Sequence, residues 1–230
     1  MKQITIAIDG FSSTGKSTVA KRLAKALGYV YVDTGAMYRA VTLFAMQNGL
    51  ISEDNFDKNA LTSHLDDLEI NFHFNQQLGF AEVYLNGNNV EKEIRTLNVS
   101  NFVSQVATIS EVRQKLVEQQ QKLGLNKGVV MDGRDIGTVV FPNAELKLFM
   151  TASAEKRATR RYDELIERGD RVNYSEVLKN VESRDLIDST RKDSPLIMAE
   201  DAVKIDNSDM TLDEQFELIL TLAEQKIYSQ

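Results

Sequence analysis

The chain has 230 residues, 42% of them hydrophobic, enough to bury a substantial core in one domain with insertions or in two small ones. Its formal net charge of −7 excludes a general nucleic-acid binder, which needs a broad basic face to displace counterions from phosphates. The complete absence of cysteine excludes disulfides, thiolate metal sites and a cysteine nucleophile.

Residues 4–8 form a short β-rich run ending in Asp9-Gly10. Met1-Lys2 leads directly into it without the apolar core of a signal peptide, and no run anywhere reaches the about 18 apolar residues of a membrane span. The expectation is a cytoplasmic monomer with no membrane partner. A helical stripe of Val19, Leu23 and Leu27 follows from Lys16 and closes at Gly28. Residues 29–32 read as a second strand ending at Asp33-Thr34-Gly35, and residues 37–47 as a helix stopped by Gly49. Strand, helix, strand, helix implies a parallel sheet. His64 lies in a polar helical stretch and His73 alternates with Phe72 and Phe74, so both histidines belong at the surface and neither has the companions of a metal site or a triad.

From about Leu68 the period becomes two, with Ile70, Phe72 and Phe74 on one face, and a second run over 80–85 ends at the hairpin signal Asn86-Gly87. A helical pattern over 99–123 precedes an apolar strand, Val129-Val130-Met131, that ends at Asp132-Gly133. A further strand over 146–150 leads into a charged segment, 153–193, with few large apolar residues. That segment is expected to be helical, loosely attached and mobile without ligand. Residues 203–205 supply a last strand. Thr211 and Glu214 form a capping box for a terminal helix whose Leu212, Phe216, Ile219 and Leu222 face inward.

Gly10-Phe11-Ser12-Ser13-Thr14-Gly15-Lys16-Ser17 fits GxxxxGK[ST] between a strand and a helix, followed by Thr18. In such a loop successive amides point at phosphate oxygens at the positive end of the helix. Lys16, in a loop expected to be solvated, is then placed for the β and γ phosphates of ATP, and Ser17 for Mg²⁺. Asn126-Lys127-Gly128 is followed by Val129, so the carboxylate of a guanine-reading NKxD element is missing. Asp132 matches the second acidic element that supports Mg²⁺, or else caps the turn that follows it. A polyanionic substrate on an acidic chain needs gathered arginines. They occur as Arg157, Arg160 and Arg161, as Arg184 and Arg191, and as Arg39, Arg113 and Arg134 near glycine turns.

Three further segments make the pattern specific: Asp33-Thr34-Gly35-Ala36-Met37-Tyr38-Arg39, then Ser104-Gln105-Val106-Ala107 with Arg113, then Asp132-Gly133-Arg134-Asp135-Ile136-Gly137-Thr138-Val139-Val140-Phe141-Pro142. Together they resemble bacterial cytidylate kinases, colinearly from Ile4 to the final helix. The resemblance implies a P-loop three-layer α/β fold, a central parallel sheet flanked by helices, over 1–230. It adds a monophosphate-binding segment over 34–96 with an antiparallel insertion near 66–92, and an arginine-bearing helical lid over 153–193.

It also implies roles. Arg39, Arg134 and Arg191 fall on the phosphate-binding arginines, whose guanidinium forks grip a dianion bidentately, and Thr34 keeps the hydroxyl of that segment. Ser104, Arg113 and Asp135 match the base readers, a carboxylate for the cytosine amine and a guanidinium for its acceptors, although Asp135 also suits an ion pair with a neighbouring arginine. Arg184 and Asp188 match the sugar-contacting pair and equally fit a surface pair four apart on a helix. Arg157 and Arg161 share a helix face and match the lid arginines, with Glu155, Asp163 and Glu164 near enough to make an ordinary salt-bridged surface. Phe11 stands where the family often has proline, and Thr34 where serine is frequent. The implied reaction passes a phosphoryl group from ATP, with Mg²⁺, to CMP or dCMP. The alternatives are a kinase for another small acceptor, such as UMP or a shikimate-like alcohol, and a nucleotide-sensing module without turnover.

Overall fold

The computed structural model describes residues 2–77 and 80–229; the expected spans that include residues 1, 78, 79 and 230 reach beyond the described residues at those positions. The chain divides into two compact units, Met1–Asp33 with Gln120–Gln230, and Thr34–Gln119.

The first unit is built on β1 (Thr5–Gly10), whose six residues are all buried, as a strand covered on both faces must be. The chain then enters α1 (Lys16–Leu27), ended by Gly28 at φ 67°, and returns in β2 (Val30–Asp33). After the second unit come β6 (Val129–Gly133), β7 (Leu146–Thr151) and β8 (Val203–Asp206), once β3 to β5 are counted below. The five strands are all parallel in the order β2-β6-β1-β7-β8. Ile6, Ile8, Leu146 and Leu148 pack with Val19 and Leu23 of α1 and with Ile219 and Ala223 of α8 (Leu212–Tyr228). The Thr211–Glu214 capping box forms. The inward stripe of α8 keeps Ile219, which is fully buried, and differs from the sequence expectation at its start: Leu212 is half exposed, and Gln215, Ala223 and Ile227 are the other buried positions. Gln215 is accepted inside because its amide donates to Met210 O while its oxygen accepts from Asn207.

The charged segment folds as α6 (Ala154–Glu167) and α7 (Tyr174–Thr190), which pack on each other and bury Ala158, Leu165, Val177 and Val181. It is tied down more firmly than its composition implies, because its arginines bond to the phosphate loop and to the segment after β8.

In the second unit α2 (Thr34–Gln47) begins at Thr34 rather than at Met37, so the helix runs through Gly35 without a turn. α3 (Lys58–Ser63) follows, and His64 at its end pairs with Asp67 on the surface. A three-stranded antiparallel sheet, β3 (Ile70–Asn75), β4 (Phe80–Leu85) and β5 (Asn88–Asn89), turns at Asn86 and Gly87, both at positive φ. The alternation of β3 holds for buried Ile70 and fades outward to Phe74, which is exposed. The helical pattern over 99–123 is two helices, α4 (Leu97–Val106) and α5 (Ser110–Leu123). The break is stabilised by side chains: Thr108 Oγ1 donates to Gln105 O, and Arg113 Nη1 caps the end of α4 at Ala107 O. Met37, Val41, Leu61, Ile94, Val112 and Leu116 centre this unit's own core.

Candidate active site

In an open parallel sheet, ligands bind beyond the carboxyl ends of the strands. Here the end of β1 carries the phosphate loop and the end of neighbouring β6 carries Asp132. Gly10 is required by space as well as by conformation: at φ 143° a Cβ would lie 2.0 Å from Met150 O. Gly15 turns into α1 at φ 85°, and between them Ser13 takes the left-handed conformation at φ 60°, a strained position for a residue with a side chain. Thr14 Oγ1 donates to Phe11 O, and Thr18 lies exposed on the first turn of α1. Ser12 is buried, and its carbonyl accepts from Arg157.

Lys16 is not solvated. Its Nζ is buried and donates to Gly10 O at 2.8 Å and Phe11 O at 2.5 Å. Burial, and after it the charge of Arg134, lowers its pKa to about 7. Ser17 Oγ donates to Asp132 Oδ2 at 2.9 Å while Tyr31 OH donates to Asp132 Oδ1 at 2.8 Å, so both oxygens of this carboxylate are oriented. Burial and nearby Asp33 raise Asp132 to about 6. The hydroxyl and carboxylate are hard oxygen donors beside a phosphate loop, a set that fits Mg²⁺, which takes one or two carboxylates and completes its shell with phosphates and water. Among the described residues no cluster of three or more His, Cys, Asp or Glu side chains is placed to hold a metal by itself.

Asp188 is the centre of the arginine cluster. It accepts from Arg134 Nε at 2.8 Å, lies 3.8 Å from Arg191 Nη1, and its pKa falls because Arg134, Arg184 and Arg191 together outweigh burial. Arg191 also donates twice to Ser194 O. Burial and the charge of Arg134 lower Arg184 to about 10, with Arg161 adding to the effect. Arg184 and Asp188 are both buried, which rules out the reading of an exposed surface pair. Arg161 bonds to Glu164 on its own helix, and Arg157 to Asp185 on α7. Asp135 is buried and begins a wide turn in which Val140 N and Phe141 N reach back five residues to Asp135 O and Ile136 O. In the second unit, Thr34 opens α2, Arg39 Nη1 donates to Ile94 O, Ser104 is buried on α4, and the Arg113 guanidinium lies 5.5 Å from the Tyr38 ring centre.

Sequence reasoning missed four contributors. Tyr31 looks like one more strand residue, and Asp185 like one more charge on a polar helix. Asn207, fully buried after β8, donates to Thr14 O at 2.6 Å and accepts from Arg160 at 3.1 Å, bracing the loop from outside. Its only signal is its position at the same end of the sheet as the loop. Asp9 accepts from Ile136 N and Gly137 N at 2.8 and 2.7 Å, fixing the wide turn to β1.

Burial raises Asp9 from 3.8 to about 6 despite those two amides. A folded value above the unfolded one means that Asp9 stabilises the fold below about pH 3.8 and that this contribution is lost as pH rises through about 6. Asp9→Asn lacks this component. The stability advantage of wild type over the variant is therefore expected to shrink by about 2–3 kcal/mol between about pH 4 and pH 7 in urea unfolding. An advantage constant across that range would refute the assignment.

A glycine loop, an inward lysine, an oriented carboxylate and a buried arginine cluster define a P-loop phosphotransferase for a small, highly charged acceptor. The sequence profile of the family described as cytidylate kinase matches residues 6–225, and the chain belongs to this family. A cytidylate kinase of Flavobacterium johnsoniae is 68% identical over 222 residues, 96% of each chain. One of Flavobacterium psychrophilum is 64% identical, covering 96% of this chain and 98% of that one. An uncharacterized protein of Eubacterium ventriosum, 13% identical with a TM-score of 0.50 over 97% of this chain and 99% of the other, shares the fold.

Proposed function

We propose that the chain transfers the γ-phosphoryl group of ATP in line to the 5′-phosphate of CMP, and of dCMP, giving ADP and the diphosphate. The observation that carries this reading is the set of cations at the carboxyl end of the sheet, buried Lys16, Arg184 and Arg191 with partly buried Arg134, three of them arginines meeting at Asp188. Arg134 lowers the pKa of both Lys16 and Arg184, cations gathered this closely suit a polyanion, and the family supplies its identity. The acceptor phosphate is already an anion, so no strong general base is needed. The catalytic effect is alignment and neutralisation.

In this reading the loop amides, with Ser12, Ser13, Thr14 and Thr18 at their side chains, hold the β and γ phosphates, and Lys16 exchanges its two loop carbonyls for phosphate oxygens. Ser17 and Asp132 would hold Mg²⁺, which when bound would supply positive charge beside the transferred group. Arg161 reaches the same group from the 153–193 lid, whose closure excludes water as a competing acceptor. Arg134 and Arg191 grip the acceptor phosphate, Arg184 and Asp188 the sugar, and Asp135 the cytosine amine. Thr34, Arg39, Ser104 and Arg113 have the roles given by the family resemblance, within the 34–96 segment and the two helices that follow it. Among the described residues no helix is long and apolar enough to cross a membrane.

Coupled measurement of ADP release with CMP, dCMP, UMP and shikimate separates the readings. The expected result is turnover with CMP and dCMP at kcat/KM values far above the other two. Equal turnover of UMP would overturn the acceptor, and tight ATP binding without turnover would overturn the enzyme.

A further inference from the structure

We propose that Asp185 is a positioning residue for the donor nucleotide: its carboxylate holds Arg157 across the phosphate loop, and through Arg157 sets the shape of the loop. The proposal rests on the reading that this loop binds the phosphates of ATP. Arg157 donates from Nη1 and Nη2 to Asp185 Oδ1 and Oδ2 at 2.9 and 2.5 Å, a bidentate pair. Its Nε donates to Ala152 O at 2.9 Å, and Nη1 also to Ser12 O at 3.2 Å. The guanidinium carbon lies 5.1 Å from the centre of the Phe11 ring, and the side chain is 4% exposed.

This arrangement divides the two lid arginines. Arg161 has a contact with Glu164, half exposed and one turn away on its own helix, that a phosphate can displace with little disturbance. Arg157 has its η nitrogens on a partner 28 residues distant and on the loop itself, and releasing it would remove at once a tie of α6 to α7 and its tie to the loop. A pair that joined only α6 to α7 would not include the carbonyl of Ser12. That carbonyl precedes Ser13, whose left-handed φ of 60° must be over-determined by its surroundings to persist. The amide that follows belongs to the run that faces phosphate. Removing the Asp185 charge takes away the carboxylate that aims the guanidinium, so its bond to Ser12 O weakens and the first half of the loop is held less firmly in the binding shape.

The test is calorimetric binding of ADP, which requires no turnover and no acceptor. Asp185→Asn is expected to weaken ADP about tenfold, and to leave the Asp185→Asn, Arg157→Gln double variant no weaker than Arg157→Gln alone. In the steady state KM for ATP should rise by the same factor with KM for CMP unchanged. Unchanged ADP affinity, or equal weakening in the Arg157→Gln background, would overturn the proposal. Wild-type failure to phosphorylate CMP would instead overturn the acceptor reading and leave this one standing. Should Asp185→Asn not fold, Asp185→Glu carries the same comparison: it keeps the charge but moves the carboxylate one methylene outward, and an ADP affinity equal to that of wild type would again count against Asp185.

Discussion

Lys16→Ala should lose about 10³-fold in kcat with only a small change in thermal stability. In the proposed reaction Lys16 is the cation that meets the group being transferred. Removing one such preorganised charge costs roughly 10² to 10³ in rate, about 3–4 kcal/mol in the transition state. Buried Lys16 also donates to Gly10 O and Phe11 O, so its removal is not free of structural cost. Against that, burial and Arg134 already work against its charge in the free protein, as the fall to about 7 records. Losing two bonds and losing a desolvated, repelled charge have opposite signs. The net effect should be on the order of 1 kcal/mol, or roughly 2–4 °C in Tm for a chain of this length. Activity above about a tenth of wild type would contradict the assigned role. Collapse of the fold would show that the two carbonyl bonds outweigh the repulsion.

The phosphate loop was legible because its whole signal is local: eight consecutive residues, a strand before and a helix after. The same holds for the Asn86-Gly87 turn and the Thr211–Glu214 cap. The sequence also showed which residue types were present in the arginine cluster, but not their partners. Arg134 meets Asp188 across 54 residues, Arg157 meets Asp185 across 28, and Asn207 meets Thr14 across 193. No period or spacing encodes such pairings, which are set when β1, β6, β7 and β8 bring their carboxyl ends together. Helix boundaries failed for a different reason. The start of α2 at Thr34 and the break between α4 and α5 depend on side-chain caps and on packing, both of which override propensity. Leu212 was placed inward by periodicity, yet the buried position went to Gln215, whose polar atoms find partners there.

Asp135→Asn is expected to narrow the preference for CMP over UMP, chiefly by destroying CMP turnover. Asp135 is buried, and Arg134, the neighbour most able to claim it as an ion-pair partner, directs its Nε to Asp188 at 2.8 Å instead. A buried carboxylate is an acceptor only, and cytosine offers it an amine where uracil offers the O4 acceptor. Two acceptors face to face leave both unpaired in a site with little water. A site built to bond a substrate group rejects the analogue that lacks it by roughly 10² to 10⁴. Asparagine presents either its oxygen or its amide nitrogen and so no longer demands an amine, while it gives up the charge that strengthened the bond to cytosine. The measurement is kcat/KM for CMP divided by that for UMP, in both enzymes, with ADP affinity as a check that the phosphate loop is undisturbed. The ratio should fall by about 10² or more, most of it from the numerator. An unchanged ratio with intact ADP binding would show that Asp135 does not read the base and that its burial serves only the wide turn it begins.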